Sequence, residues 1–129
     1  MLAQRILIVG GPRTGKTTLA GTFPLPVVHT DDFAGLGNFS AQSAKVAELL
    51  DLPGPWVLEG VTVARALRKW FRSHPSGVPC DAIYGCWAPK APLSPGQFSL
   101  LRGCAKVWAE VEEELDTRGF PLIARFNIV

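Results

Sequence analysis

Between an apolar run, Arg5-Ile6-Leu7-Ile8-Val9, and a segment with helical character from Lys16 lies Gly10-Gly11-Pro12-Arg13-Thr14-Gly15-Lys16-Thr17. These residues satisfy GxxxxGK[ST] at every fixed position. Average composition would give that pattern by chance in under roughly 1% of chains of this length. It constrains the fold because it requires a strand, a tight turn and a helix in that order. Glycines let the backbone curl until successive N–H groups point at one anion, and the opening of the helix adds partial positive charge. Lys16 would bring an ammonium to the β- and γ-phosphates of a nucleoside triphosphate, and Thr17 a hydroxyl to Mg²⁺. The residues expected around the triphosphate are Gly11, Pro12, Arg13, Thr14, Gly15, Lys16 and Thr17, with Thr18 a helix-surface hydroxyl near the α-phosphate.

The run at residues 5–9 shows no alternation, as expected of a strand buried on both faces of a parallel sheet. After a short helix to about Gly21, strands are expected at Pro26–His29, Trp56–Glu59, Asp81–Trp87 and Phe120–Phe126. Helices are expected from a Ser40 cap to about Leu50, from Val63 to Arg72, and from Ser94-Pro95 to Thr117. Ser94-Pro95 pairs a capping residue with proline in the first turn. The stripe Leu100, Cys104, Val107, Trp108, Val111 and Leu115 follows helical spacing, so Trp108 is expected in the core. Alternation of strand and helix predicts an α/β fold: one three-layer domain, residues 1–129, with a five-stranded parallel sheet and helices on both faces.

Composition removes other classes. With 129 residues, 47% hydrophobic and 19% charged, the chain is expected to form one domain rather than a disordered polymer. No apolar run is long enough to span a bilayer, and the N-terminus lacks the pattern of a signal peptide. A net charge of +2 does not by itself indicate nucleic acid. Cys80, Cys86 and Cys104 are odd in number and form no CxxC pair, which argues against disulfides or zinc and fits a reducing cytoplasm.

With its phosphate loop, the chain resembles the P-loop nucleoside triphosphate hydrolase superfamily. Its closer likeness is to the small-molecule kinase branch of nucleoside, nucleotide, shikimate and gluconate kinases, and it is similar to small phage-encoded P-loop proteins. The superfamily resemblance rests on the first 20 residues. The kinase resemblance rests on strand–helix order and two further segments. His29-Thr30-Asp31-Asp32-Phe33 resembles the Asp-Asp-Phe/Tyr run after the second strand of uridine-kinase-like enzymes. The resemblance implies an acidic residue touching the acceptor hydroxyl or the magnesium shell, and Asp32 is the expected base with Asp31 beside it. Trp56-Val57-Leu58-Glu59-Gly60 resembles the third-strand hhhEG of the same branch, which implies that Glu59 lies near the metal shell. Metal contact is therefore expected directly from Thr17 and through water from Asp31 or Glu59. The chain departs from nucleoside monophosphate kinases in two ways. The first arginine after Gly60 is Arg65, and the connection Ala88–Leu93 is too short for a large lid. Arg102 on the long helix is the expected lid-like arginine.

Other residues read mainly as structure. Arg65, Arg68 or Lys69, and Arg72 share one helix face, either a solvated stripe or the seat of a phosphate-bearing acceptor. His29 reads as a packed strand residue and His74 as a loop residue. Trp56, Trp70 and Trp87 read as packing, although one of them, or Phe33, could stack on a base. The function these readings favour is γ-phosphate transfer from Mg-ATP or another nucleoside triphosphate to a nucleoside, nucleotide or other small hydroxyl acceptor. The catalytic set is Lys16, Asp31, Asp32, Glu59 and Arg102. A polynucleotide 5′-hydroxyl is a further acceptor. The alternative is an ATPase or nucleotide-binding accessory module without an acceptor, though no hhhhDE strand is present. The implied setting is a bacterial or phage-infected cytoplasm, with no membrane partner.

Overall fold

In the computed structural model, which describes residues 4–128, the apolar run becomes the middle strand of the sheet. β1 (Arg5–Gly10) leads through the glycine-rich loop into α1 (Lys16–Ala20), and β2 (Val27–His29) follows. A 3₁₀ turn (Thr30–Leu36), α2 (Phe39–Leu49), β3 (Trp56–Gly60) and α3 (Val63–Ser73) come next. β4 (Ala82–Cys86), α4 (Pro95–Thr117), a second 3₁₀ turn (Leu122–Ala124) and β5 (Arg125–Ile128) complete the order. All pairings are parallel, in the order β2-β3-β1-β4-β5, so the fold is the expected five-stranded α/β sheet.

Period-two geometry divides β1 between two cores. Leu7 and Val9 enter the larger one with Leu58, Ile83, Leu67, Val111 and Leu115, covered by α2, α3 and α4. Ile6 and Ile8 face the smaller one with Val57, Ala20 and Cys86, covered by α1 and the segment around Phe23. The expected α4 stripe is buried, including Trp108. Ser94 caps that helix by accepting from the Gln97 N–H, and the Gln97 side chain accepts from the Ser94 N–H in return.

Two boundaries differ from expectation. Asn38, not Ser40, caps α2: its Oδ1 accepts from the Ala41 N–H at 2.9 Å. The strand expected from Phe120 is limited to Arg125–Ile128. Gly119 turns at φ 76°, and Pro121, which has no N–H to donate to a ladder, precedes the 3₁₀ turn. Among the described residues no helix is long and apolar enough to cross a membrane. The three cysteines are free and buried, and burial pushes the Cys80 thiol up to about 12.

Register brings the key groups to one end of the sheet. Val9 lies beside Gly60, and His29 beside Glu59, so the carboxyl ends of β1, β2 and β3 open on the same side as the loop. In open parallel sheets this is the end where ligands are bound.

Candidate active site

The loop is shaped by backbone that few side chains tolerate. Gly15 lies at φ 86° and Arg13 at φ 58°, both left-handed, with Thr14 between them. Such alternation turns successive N–H groups toward one point and makes an anion-binding concavity. The loop base is close-packed: a Cβ on Gly10 would lie 1.9 Å from the Cys86 carbonyl oxygen, and one on Gly11 2.1 Å from Leu101 Cδ1. Glycine at the first of these positions is a packing requirement of the β1–β4 approach.

Lys16 is 7% exposed. Its Nζ donates to the Gly11 carbonyl and, at 3.3 Å, to Thr14 Oγ1, and Thr14 donates to the same carbonyl at 2.9 Å. The ammonium is thus folded against the loop from inside. Burial lowers its pKa from the ordinary lysine value, while the charges of Glu59 and Asp31 act in the opposite direction. Beside the loop is a cleft of about 350 Å³. Residues 12–18 form one wall, Asp31, Glu59, Gly60 and Val61 another, and Gln97 and Leu100 of α4 a third.

Glu59, 3% exposed at the end of β3, is the hub of the acidic wall. Its Oε1 accepts from Thr17 Oγ1 at 3.3 Å and lies 2.7 Å from His29 Nδ1. Gly60 follows at φ 145°, where a Cβ would fall 1.7 Å from Thr30 Oγ1, so Thr30 fills the space a side chain would need. Thr30 Oγ1 is itself buried without a hydrogen-bond partner among the described residues. Sequence reasoning assigned no role to Thr30 and treated His29 as packing. The signal for His29 was its parity with Glu59 in adjacent strands, which pairing geometry alone reveals.

The cleft brings together Pro12, Arg13, Thr14, Gly15, Lys16, Thr17, Thr18, Asp31 and Glu59, while Gly11 lies buried beneath the loop. Two expected site residues are placed elsewhere. Asp32 is exposed and does not line the cleft, because consecutive residues of the 3₁₀ turn diverge and Asp31 takes the inward position. Arg102 is exposed, its guanidinium 5.9 Å from the Phe98 ring centroid. It follows Leu100 by two positions, about 200° around the helix, so it leaves the cleft wall that Gln97 and Leu100 occupy. The short connection after β4 is tied to the loop: the Lys90 N–H donates to the Arg13 carbonyl at 2.7 Å, and Arg13 Nη1 to the Pro92 carbonyl at 3.2 Å. Trp56 and Trp70 are buried, Trp56 donating to the Leu52 carbonyl and Trp70 to Asp51.

The residues fit a magnesium–triphosphate. Thr17 and Glu59 present hard oxygen donors side by side next to the loop. No group of three or more His, Cys, Asp or Glu among the described residues makes a protein-only metal cage. Magnesium commonly uses one or two protein oxygens and takes the rest from water and phosphate. No family model and no curated protein matches the chain. Among solved structures it is similar to the shikimate kinase from Acinetobacter baumannii, determined in complex with shikimate. The likeness covers 98% of this chain and 83% of that one, at 15% identity and a TM-score of 0.56. What the two chains share is a fold: by that likeness this chain has the parallel α/β fold of that shikimate kinase.

Proposed function

We propose that the protein is a small phosphotransferase that moves the γ-phosphate of ATP, or of another nucleoside triphosphate, to a hydroxyl of a small acceptor. The observation that carries this reading is the convergence of Lys16, Thr17, Asp31 and Glu59 on one cleft of about 350 Å³. Loop amides and Lys16 hold the phosphates and balance charge that grows during transfer. Thr17 would ligate Mg²⁺ directly and Glu59 through water, with His29 fixing the Glu59 carboxylate by its 2.7 Å contact. Magnesium, when bound, neutralises phosphate charge and orients phosphate oxygens. Asp31 faces the cleft from the acceptor side and orients the hydroxyl. As the acceptor oxygen forms its bond to the γ-phosphorus, the bond to the β–γ bridging oxygen breaks. The bond electrons leave with the nucleoside diphosphate, and the hydroxyl proton passes to the Asp31 carboxylate.

The test is release of nucleoside diphosphate from Mg-ATP across a panel of nucleosides, nucleotides and small hydroxy acids. Release that depends on an acceptor, and that disappears in Lys16→Ala, supports the proposal. Equal release with and without every acceptor makes the protein an ATPase. Tight ATP binding without release makes it a binding module. Either result overturns the transferase reading.

A further inference from the structure

Beyond the cleft lies a second concavity, of about 270 Å³, between the start of α2 and the outer face of α3. Its α3 wall carries Arg65, Arg68, Lys69 and Arg72, and its α2 wall Phe39, Ser40 and Ser43. No carboxylate lines it among the described residues. The cations are little neutralised. Arg65 meets a ring and a thiol: its guanidinium sits 5.1 Å from the Phe39 centroid and donates to Cys104 Sγ at 3.4 Å. Lys69 Nζ donates to the Ser40 carbonyl at 2.6 Å and to Ser40 Oγ at 3.0 Å. Arg72 is exposed and makes no hydrogen bond or ion pair among the described residues. Arg68 pairs with Glu110 at 3.1 Å, and its Nε is buried without a hydrogen-bond partner among the described residues; Arg68 and Arg72 also line a separate hollow with Glu110 and Glu114. A solvated stripe would spread such charges outward. Here four of them share one concave wall that no carboxylate lines, an arrangement that favours a multiply charged anion.

This hollow neighbours the nucleotide cleft, although the two share no lining residue. Val61 lines the cleft, and Arg65 follows it one turn later on α3. Cys104 joins them, donating to the Val61 carbonyl at 3.3 Å while accepting from Arg65. The first turn of α2 adds its partial positive charge from the opposite wall. Guanidinium forks match phosphate oxygens in pairs, which an ammonium or a neutral wall does not.

We propose that the acceptor is itself phosphorylated and that its phosphate sits in this hollow. The hydroxyl to be modified then lies in the neighbouring cleft, toward Asp31. The proposal rests on the transferase reading above for the role of the cleft, and its test separates the two. Inorganic phosphate is titrated calorimetrically into protein already saturated with Mg²⁺ and a non-hydrolysable ATP analogue, so that the loop is filled. The same titration is made in Lys16→Ala protein, where the loop is disabled. Both should show one phosphate site. Arg68→Gln/Arg72→Gln, and Arg72→Gln alone as the variant that breaks no contact, should weaken it, the double variant by about tenfold or more, while the analogue binds within about twofold of wild type. In turnover, a nucleoside monophosphate or sugar phosphate should show a lower KM than its unphosphorylated parent, and the double variant should erase that preference. Absence of the second phosphate site, or phosphate binding indifferent to Arg68 and Arg72, overturns the proposal even if ATP is bound. Preference for a 5′-hydroxyl oligonucleotide over every monophosphate overturns the small-molecule assignment. Failure of the analogue to bind, with arginine-dependent phosphate binding intact in Lys16→Ala, defeats the nucleotide cleft and leaves the hollow standing.

Discussion

Lys16 places a cation where water is nearly excluded, and its nearest acceptors are the loop's own carbonyl and a hydroxyl. The folded protein therefore holds that proton less tightly than the unfolded chain does. The sign follows: the cost of the buried charge is present while Lys16 is protonated and is relieved as pH rises through the lowered pKa toward the ordinary lysine value. Lys16→Met is expected to abolish nucleotide binding yet raise the melting temperature at pH 7 by roughly 3–5 °C, on the order of 1 kcal/mol, with the gap closing at alkaline pH. Thermal melts of both proteins from pH 7 to pH 10 check this. The adjacent carboxylates give a second residue-scale contrast. Asp31→Asn should lower kcat by about 10²- to 10³-fold with ATP affinity within about twofold, whereas Asp32→Asn should leave both within about twofold. Steady-state kinetics of the pair decides which carboxylate takes the proton. From sequence, two adjacent acids at a strand end were legible as a site. Their facing was not, because it depends on the 3₁₀ geometry of residues 30–36 rather than on residue type.

At the scale of elements, the contact between β3 and the turn after β2 is a lock of two residues. Gly60 leaves room that Thr30 occupies, and a Cβ at 60 would collide with Thr30 Oγ1 at 1.7 Å while φ stays at 145°. Gly60→Ala is expected to cost about 2–4 kcal/mol, and Thr30→Ala should recover part but not all of that loss, since the backbone strain remains. Denaturant melts of the two single variants and the double variant measure the coupling. The strands were readable as apolar runs, and α4 as an apolar stripe with a Ser-Pro start, because each carries its own local signal. The cap of α2 was misassigned because Asn38 and Ser40 have nearly equal preference for that role, and tertiary placement decides between them. β5 was overextended because Leu122 and Ile123 look like strand residues. The proline before them lacks the N–H that would begin the ladder, and the two side chains end 77% and 85% exposed.

The whole molecule is lopsided. Three helices cover one face of the sheet and a five-residue helix the other, where Tyr84 stacks on Phe126 at 4.7 Å and Phe23 meets Tyr84 edge-on at 5.3 Å. The apolar residues exposed near the β5 edge make this the stickiest part of the described surface. Leu122→Lys/Ile123→Lys should reduce concentration-dependent self-association, read by light scattering, while changing stability by no more than about 0.5 kcal/mol. A parallel sheet with helices on both faces could be expected from alternation of elements, but the strand order and the packing of α4 against the start of α3 could not. That packing is made by contacts between residues some 40 positions apart, such as Cys104 of α4 with Val61 and Arg65 of α3 with Cys104. The tether between residue 90 and residue 13 has its own consequence. A strap pinned to the phosphate loop at two points does not swing like a door, so under the transferase proposal dryness at the moment of transfer would come from the guest. The proposed acceptor would then itself plug the mouth, and stray hydrolysis would be held down by occupancy in place of motion.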